Sequence, residues 1–127
     1  MKIKNLTLEL MVEDIEKSFD FYHEIFEFIP IVKVPEDKPF FMIMKNNFVQ
    51  VMLYQRKKFT EEIPQFKNLK LGGSIAIYLE IENIENVFEK IKDKVKMIQE
   101  MRITDYGTSE FSFEDINGYV WMLSQKN

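Results

Sequence analysis

Residues 12–19 and 81–88 of this chain repeat one another, and that repeat narrows the possible folds more than any other property. Val12-Glu13-Asp14-Ile15-Glu16-Lys17-Ser18-Phe19 aligns with Ile81-Glu82-Asn83-Ile84-Glu85-Asn86-Val87-Phe88. Each copy runs from an apolar residue through an acidic one to a capping Asp or Asn, then to apolar residues at helical spacing. The turn dipeptides Asn46-Asn47 and Asn117-Gly118 stand apart by nearly the same interval, about 70 residues, and two independent features at one offset imply duplicated modules.

Each module reads as strand, helix, strand, strand, strand. Leu6, Leu8, Leu10 and Val12 alternate with Thr7, Glu9 and Met11, the period of a strand with one apolar face. Asp14 caps a helix of about 12 residues carrying Ile15, Phe19, Tyr22 and Ile25. A strand over 28–34 contains Pro30, which suits a sheet edge or a bulge. Strands over 40–44 and 48–54 flank the Asn46-Asn47 turn. In the second half, 74–81 is a strand, Asn83 caps a helix over Ile84, Val87, Phe88 and Ile91, and 95–103 is a strand. A hairpin then turns at Asn117-Gly118. The predicted architecture is α+β, two βαβββ modules forming an open curved sheet around a cleft. One domain of 127 residues is expected, with module 1 over about 1–55, a polar connector over 56–71 and module 2 over about 72–127.

Alternation also assigns faces. Leu6, Leu8 and Leu10 with Ile75, Ile77 and Leu79 turn toward the helices. Thr7, Glu9 and Met11 with Ala76, Tyr78 and Glu80 turn toward the cleft, joined by Gln50, Met52 and Tyr54 with Ile43 and Phe41. A two-residue turn at Asn46-Asn47 sets Ile43 opposite Gln50 and Phe41 opposite Met52, and puts Phe40 on the helix side. Phe111, Phe113, Val120 and Met122 are placed on the cleft face, and Trp121 in the core. His23, the sole histidine, is read as a solvated helix residue.

The absence of cysteine excludes disulfides, thiolate chemistry and zinc–sulfur sites. A net charge of −4 disfavours a nucleic-acid partner. No signal-peptide pattern precedes the first strand and no apolar run reaches roughly 20 residues, so the expectation is a cytoplasmic protein without a membrane partner.

The segment Leu8-Glu9-Leu10-Met11-Val12-Glu13-Asp14-Ile15-Glu16-Lys17-Ser18-Phe19-Asp20-Phe21-Tyr22 resembles the first strand and helix of the vicinal-oxygen-chelate superfamily, which includes glyoxalases, bleomycin-resistance proteins and extradiol dioxygenases. Phe111 through Leu123 is similar to its closing F-x-D-P-D-G-N hairpin, with Ile116 where proline is usual. Gly73 through Phe88 resembles the start of its second module.

Metal-dependent members of that superfamily use four strand positions as ligands. The resemblance maps them to Thr7, near Gln50, near Ala76 and to Met122. Ala76 and Met122 cannot ligate a hard divalent ion, Thr7 is a poor donor, and Gln50 alone does not make a site. What the resemblance then implies is the metal-free bleomycin-resistance-like branch: a homodimer that sequesters an aromatic or cationic small molecule, with no catalytic residue, metal or cofactor. The expected ligand-binding residues are Thr7, Glu9, Gln50, Met52, Tyr54, Tyr78, Phe111 and Met122. Two alternatives stand beside this reading. One is a glyoxalase-like lyase or isomerase with non-standard ligands drawn from Glu9, Gln50, Glu80 and Glu114. The other is an association protein whose cleft is filled by its own side chains.

Overall fold

A computed structural model describes residues 1–127 as two compact units, Met1–Leu69 and Lys70–Asn127. Each has one four-stranded mixed sheet and a helix packed on it, so the fold is α+β with two similar βαβββ modules.

The first unit contains β1 (Leu8–Val12), α1 (Ile15–Phe26), β2 (Ile29–Val34), β3 (Phe41–Asn46) and β4 (Val49–Gln55), in the sheet order β1-β4-β3-β2. Asp14 stops the strand and starts the helix, its Oδ1 accepting the Lys17 amide at 2.9 Å. The apolar stripe Ile15, Tyr22 and Ile25 packs on β3 and β4, whose Met42, Met44, Val51 and Leu53 are buried beneath it. β2 is the edge strand that Pro30 called for, and its pairing shifts between Pro30 and Val32. The β3–β4 turn lies one residue later than expected, at Asn47-Phe48, with Asn47 at φ 52°. Ile43 therefore faces Met52 and Phe41 faces Tyr54, while Gln50 faces Lys45. Moving a turn by one residue moves cross-strand partners by two, so the face assignments survive.

The stretch expected as a solvated connector folds. Arg56–Glu62 forms α2 and Pro64–Phe66 a short 3-10 turn, both within the first unit. Phe59 of α2 is buried, edge-on to Tyr54 at 5.4 Å and to Phe66 at 4.7 Å. Arg56 pairs with Glu13 and donates to the Leu69 carbonyl at 3.0 Å, fixing both ends of the segment. Phe40 also departs from expectation. It stacks on Tyr54 at 6.2 Å, with Lys58 over its ring.

The second unit contains β5 (Ala76–Glu80), α3 (Ile84–Ile91), β6 (Lys96–Ile103), β7 (Thr108–Glu114) and β8 (Val120–Lys126), ordered β5-β8-β7-β6. Asn83 precedes α3 in a left-handed conformation, φ 56°, and its side chain makes no cap bond; Gln125 Oε1 accepts the Ile84 amide instead, at 2.8 Å. Both first strands begin two residues later than the alternation suggested, leaving Leu6 and Ile75 exposed. The largest correction concerns the last hairpin. Its loop spans 115–119, so Phe111 lies opposite Leu123 and Phe113 opposite Trp121. Phe111 is buried on the helix face, 5.1 Å from the Phe88 ring, and so leaves the expected binding set, while Phe113, expected only on the cleft face, is buried with it. Trp121 is fully buried, as expected.

Candidate functional site

The face of the first sheet opposite α1 carries Glu9, Met11, Gln50, Met52 and Tyr54, with Phe41 and Ile43 from β3. Thr7 lies just before β1 and is exposed. α2 covers one end of this surface, since Tyr54 Oη donates to Glu62 Oε2 at 2.7 Å. That bond, with burial and the nearby carboxylates, pushes the Tyr54 phenol up to about 12. Desolvation, then the Glu62 charge, raises Glu9 above the usual carboxylate value. His23 stays on α1, its Nδ1 2.8 Å from the Phe28 carbonyl and its ring stacked on Phe19.

The Tyr54–Glu62 bond makes a testable pH statement. Tyr54 is raised above its ordinary value of 10.0, so its stabilising contribution is complete below pH 10 and is lost as pH climbs through about 12. Glu62→Gln should bring the Tyr54 phenol back toward its ordinary value, read by ultraviolet phenolate absorbance. Identical titration curves for the wild type and the variant would remove this assignment.

The corresponding face of the second sheet is organised around a carboxylate absent from the expected set. Register puts Tyr78 beside Met122, Glu80 beside Ser124, and Glu110 opposite Ser124 on the far side of β8. The Glu110 side chain is 1% exposed. Its Oε2 accepts Tyr78 Oη at 2.6 Å, Thr108 Oγ1 at 2.9 Å and Ser124 Oγ at 3.2 Å. Its Oε1 accepts Tyr106 Oη at 2.9 Å, and Arg102 Nη2 stands 3.6 Å away. Burial pushes the Glu110 carboxyl up, and the hydroxyl bonds more than offset it, so Glu110 titrates below the ordinary carboxylate range. The same bonds raise both phenols. Nothing in the sequence marks Glu110, because all its hydroxyl partners but Thr108 come from elsewhere, from β5, β8 and the β6–β7 turn.

Of the expected binding residues, Glu9, Gln50, Met52 and Tyr54 belong to the first unit's face and Tyr78 and Met122 to the second's, while Thr7 precedes the first strand and pairs with no other. The residues do not fit a divalent ion. Ala76 pairs with Val120 and Met122 with Tyr78, supplying a methyl group and a thioether at two of the four implied ligand positions. The alternative donors are dispersed: Glu114 pairs with Lys96 at 2.9 Å and Glu80 with Lys126 at 3.8 Å. No group of three or more His, Asp or Glu is arranged to hold a metal. No helix is long and apolar enough to cross a membrane.

Comparison with known proteins comes to the same fold. The family model described as the Glyoxalase/Bleomycin resistance protein/Dioxygenase superfamily matches residues 4–123. Among solved structures, a glyoxalase/bleomycin resistance protein/dioxygenase from Nocardioides superposes with a TM-score of 0.80 at 15% identity, over 99% of this chain and 85% of that one. TioX from Micromonospora sp. ML1 gives 0.78 at 13% identity, over 98% and 99%. Hypothetical protein SA1046 from S. aureus gives 0.78 at 22% identity, over 98% and 95%. No curated protein matches the chain at the sequence level.

Proposed function

This chain belongs to the glyoxalase/bleomycin resistance protein/dioxygenase superfamily, and we propose that it acts there as a metal-independent binder that sequesters an aromatic or cationic small molecule, in the manner of the bleomycin-resistance branch. One observation carries this reading. Ala76 and Met122, at or near the ligand positions that the resemblance implies, offer no hard donor, on a face whose one buried carboxylate, Glu110, is already engaged by four hydroxyls. A face built this way favours contact with a ligand over polarising it.

Thr7, Glu9, Gln50, Met52 and Tyr54 are the proposed contacts on the first unit, and Tyr78 and Met122 those on the second. Glu9 and Glu62 beside the Tyr54 ring suit a cationic group, and thioethers adapt to irregular apolar shapes. Sequestration needs affinity alone. Pairing of two copies in a cytoplasmic homodimer is part of the proposal. The edge strand β2 leaves Ile29, Ile31, Val32 and Val34 39–53% exposed, a surface that a second chain would cover.

The test is a titration of untagged protein, treated with a chelator, against a panel of aromatic and cationic compounds. We expect saturable binding and a raised Tm, unchanged when nickel, zinc, manganese or ferrous iron is restored, in a particle with the mass of two chains by light scattering. Binding that appears only with a metal, at about one ion per chain by mass spectrometry, would sink the reading.

A further inference from the structure

Tyrosines at a protein surface ordinarily keep the hydroxyl in water and lay the ring on apolar neighbours. Tyr78 and Tyr106 do the reverse. Each turns its hydroxyl inward onto Glu110, at 2.6 and 2.9 Å, while the residues remain 53% and 63% exposed. Each ring is thereby tethered at its polar end. They come from separate places in the second unit, Tyr78 from β5 and Tyr106 from the turn between β6 and β7.

The carboxylate that holds them is a costly choice for this position. Glu110 is 1% exposed, and stripping water from a charge is unfavourable unless its hydrogen bonds are replaced. Thr108, Ser124 and the two phenols replace them. An aliphatic side chain could occupy the same strand position without that requirement. The charge accomplishes something an aliphatic group cannot: it fixes two exposed aromatic rings by their polar ends. Rings held in place give up little freedom when a planar molecule stacks on them.

Charge narrows the class of that molecule. Glu110 is too buried to meet a ligand. Arg102, by contrast, is 48% exposed, and its Nη2 sits 3.6 Å from Glu110 Oε1, beyond hydrogen-bonding distance. Its guanidinium carries five N–H donors in a planar fork that matches a carboxylate. We propose that Tyr78 and Tyr106, locked by Glu110, form with Arg102 a binding site for a planar aromatic molecule bearing an anionic substituent. This rests on the binding role proposed above and assigns a chemistry to the second unit's face.

The experiment is calorimetric titration with naphthoate, with cyclohexanecarboxylate and naphthylmethylammonium as companions. Naphthoate should bind saturably and more tightly than either. Tyr78→Ala and Tyr106→Ala should each weaken it about five- to tenfold. Arg102→Gln should weaken naphthoate about tenfold and leave naphthylmethylammonium no weaker. Glu110→Gln, similar in volume, should weaken naphthoate a few-fold by loosening both rings. If that variant fails to fold, the three surface substitutions still decide the matter. Naphthoate affinity unchanged in both tyrosine variants would overturn the site and leave the general binding role standing. Preference for naphthylmethylammonium would overturn the anionic class. Failure of naphthoate while another aromatic or cationic compound binds would overturn this inference alone, whereas failure of every compound would remove the binding role as well.

Discussion

Asp115→Ala should lower the stability of this protein by about 3–5 kcal/mol, since hydrogen bonds to a charged group and a buried donor left unmade each cost on the order of 1–3 kcal/mol and do not add fully. Asp115 is 6% exposed and sits at the end of β7. Its Oδ1 accepts the amides of Asn117 at 2.8 Å and Tyr119 at 3.0 Å, and its Oδ2 accepts Trp121 Nε1 at 2.8 Å. Trp121 is completely buried, so alanine at 115 leaves an indole N–H without this acceptor inside the core. It also releases the two amides that close the 115–119 loop. The Tm should fall by roughly 10–20 °C, given a few degrees per kcal/mol for a chain of this size. Asp115→Asn keeps one acceptor oxygen and should fall between the two. Trp121 is the only tryptophan, so its fluorescence in urea reads the site directly. A loss below about 1 kcal/mol, within the range of ordinary surface substitutions, would show that the loop holds its shape without this carboxylate.

Asp115 also explains which parts of the fold could be read in advance. The sequence around Asn117-Gly118 announces a turn, and a two-residue turn places Phe113 opposite Met122. Asp115 instead gathers 115–119 into one loop, its own amide donating to the Tyr119 carbonyl at 2.9 Å, and Phe113 meets Trp121. That is a shift of one partner, and an odd shift exchanges the faces of a strand. Phe111 and Phe113 therefore go to the helix side. In the first hairpin the turn also moved, but the partners shifted by two, and Glu9, Met52 and Tyr54 stayed on one face. Local signals were enough where chemistry is local: Asp14 capping α1, and Pro30 confining β2 to an edge. They fail where partners are distant. α2 shows one buried apolar residue, Phe59, among lysines and glutamates, and its packing depends on Tyr54 and Phe66. Glu110 alternates with Phe111 as any solvent-facing strand residue would. Only the convergence of Tyr78, Tyr106, Thr108 and Ser124 reveals it as buried.

Gly72→Ala should cost about 2–4 kcal/mol, combining left-handed backbone strain with overpacking against a rigid neighbour. Gly72 is buried at φ +100°, and a Cβ there would come within 2.5 Å of the Gly118 carbonyl oxygen and 2.9 Å of its carbon. These are backbone atoms of the hairpin loop, so no rotamer change relieves the contact. Gly118 is itself at φ +94°, where a Cβ would lie 3.4 Å from the Leu71 carbonyl oxygen. Two glycines thus let the segment leading into β5 lie directly on the loop that Asp115 closes. This contact helps fix where β5, and with it Tyr78, joins the sheet. Gly73 supplies the control. It too has a positive φ, +54°, but nothing lies within 4 Å of its would-be Cβ. Gly73→Ala should therefore show the backbone term alone, about 1–2 kcal/mol. Urea unfolding of both variants separates the causes. A clearly larger loss at 72 than at 73 assigns the difference to the close approach of the two backbones. Equal losses would mean that the hairpin loop yields, and that Tyr78 is positioned by the β5–β8 pairing and Glu110 without help from this contact.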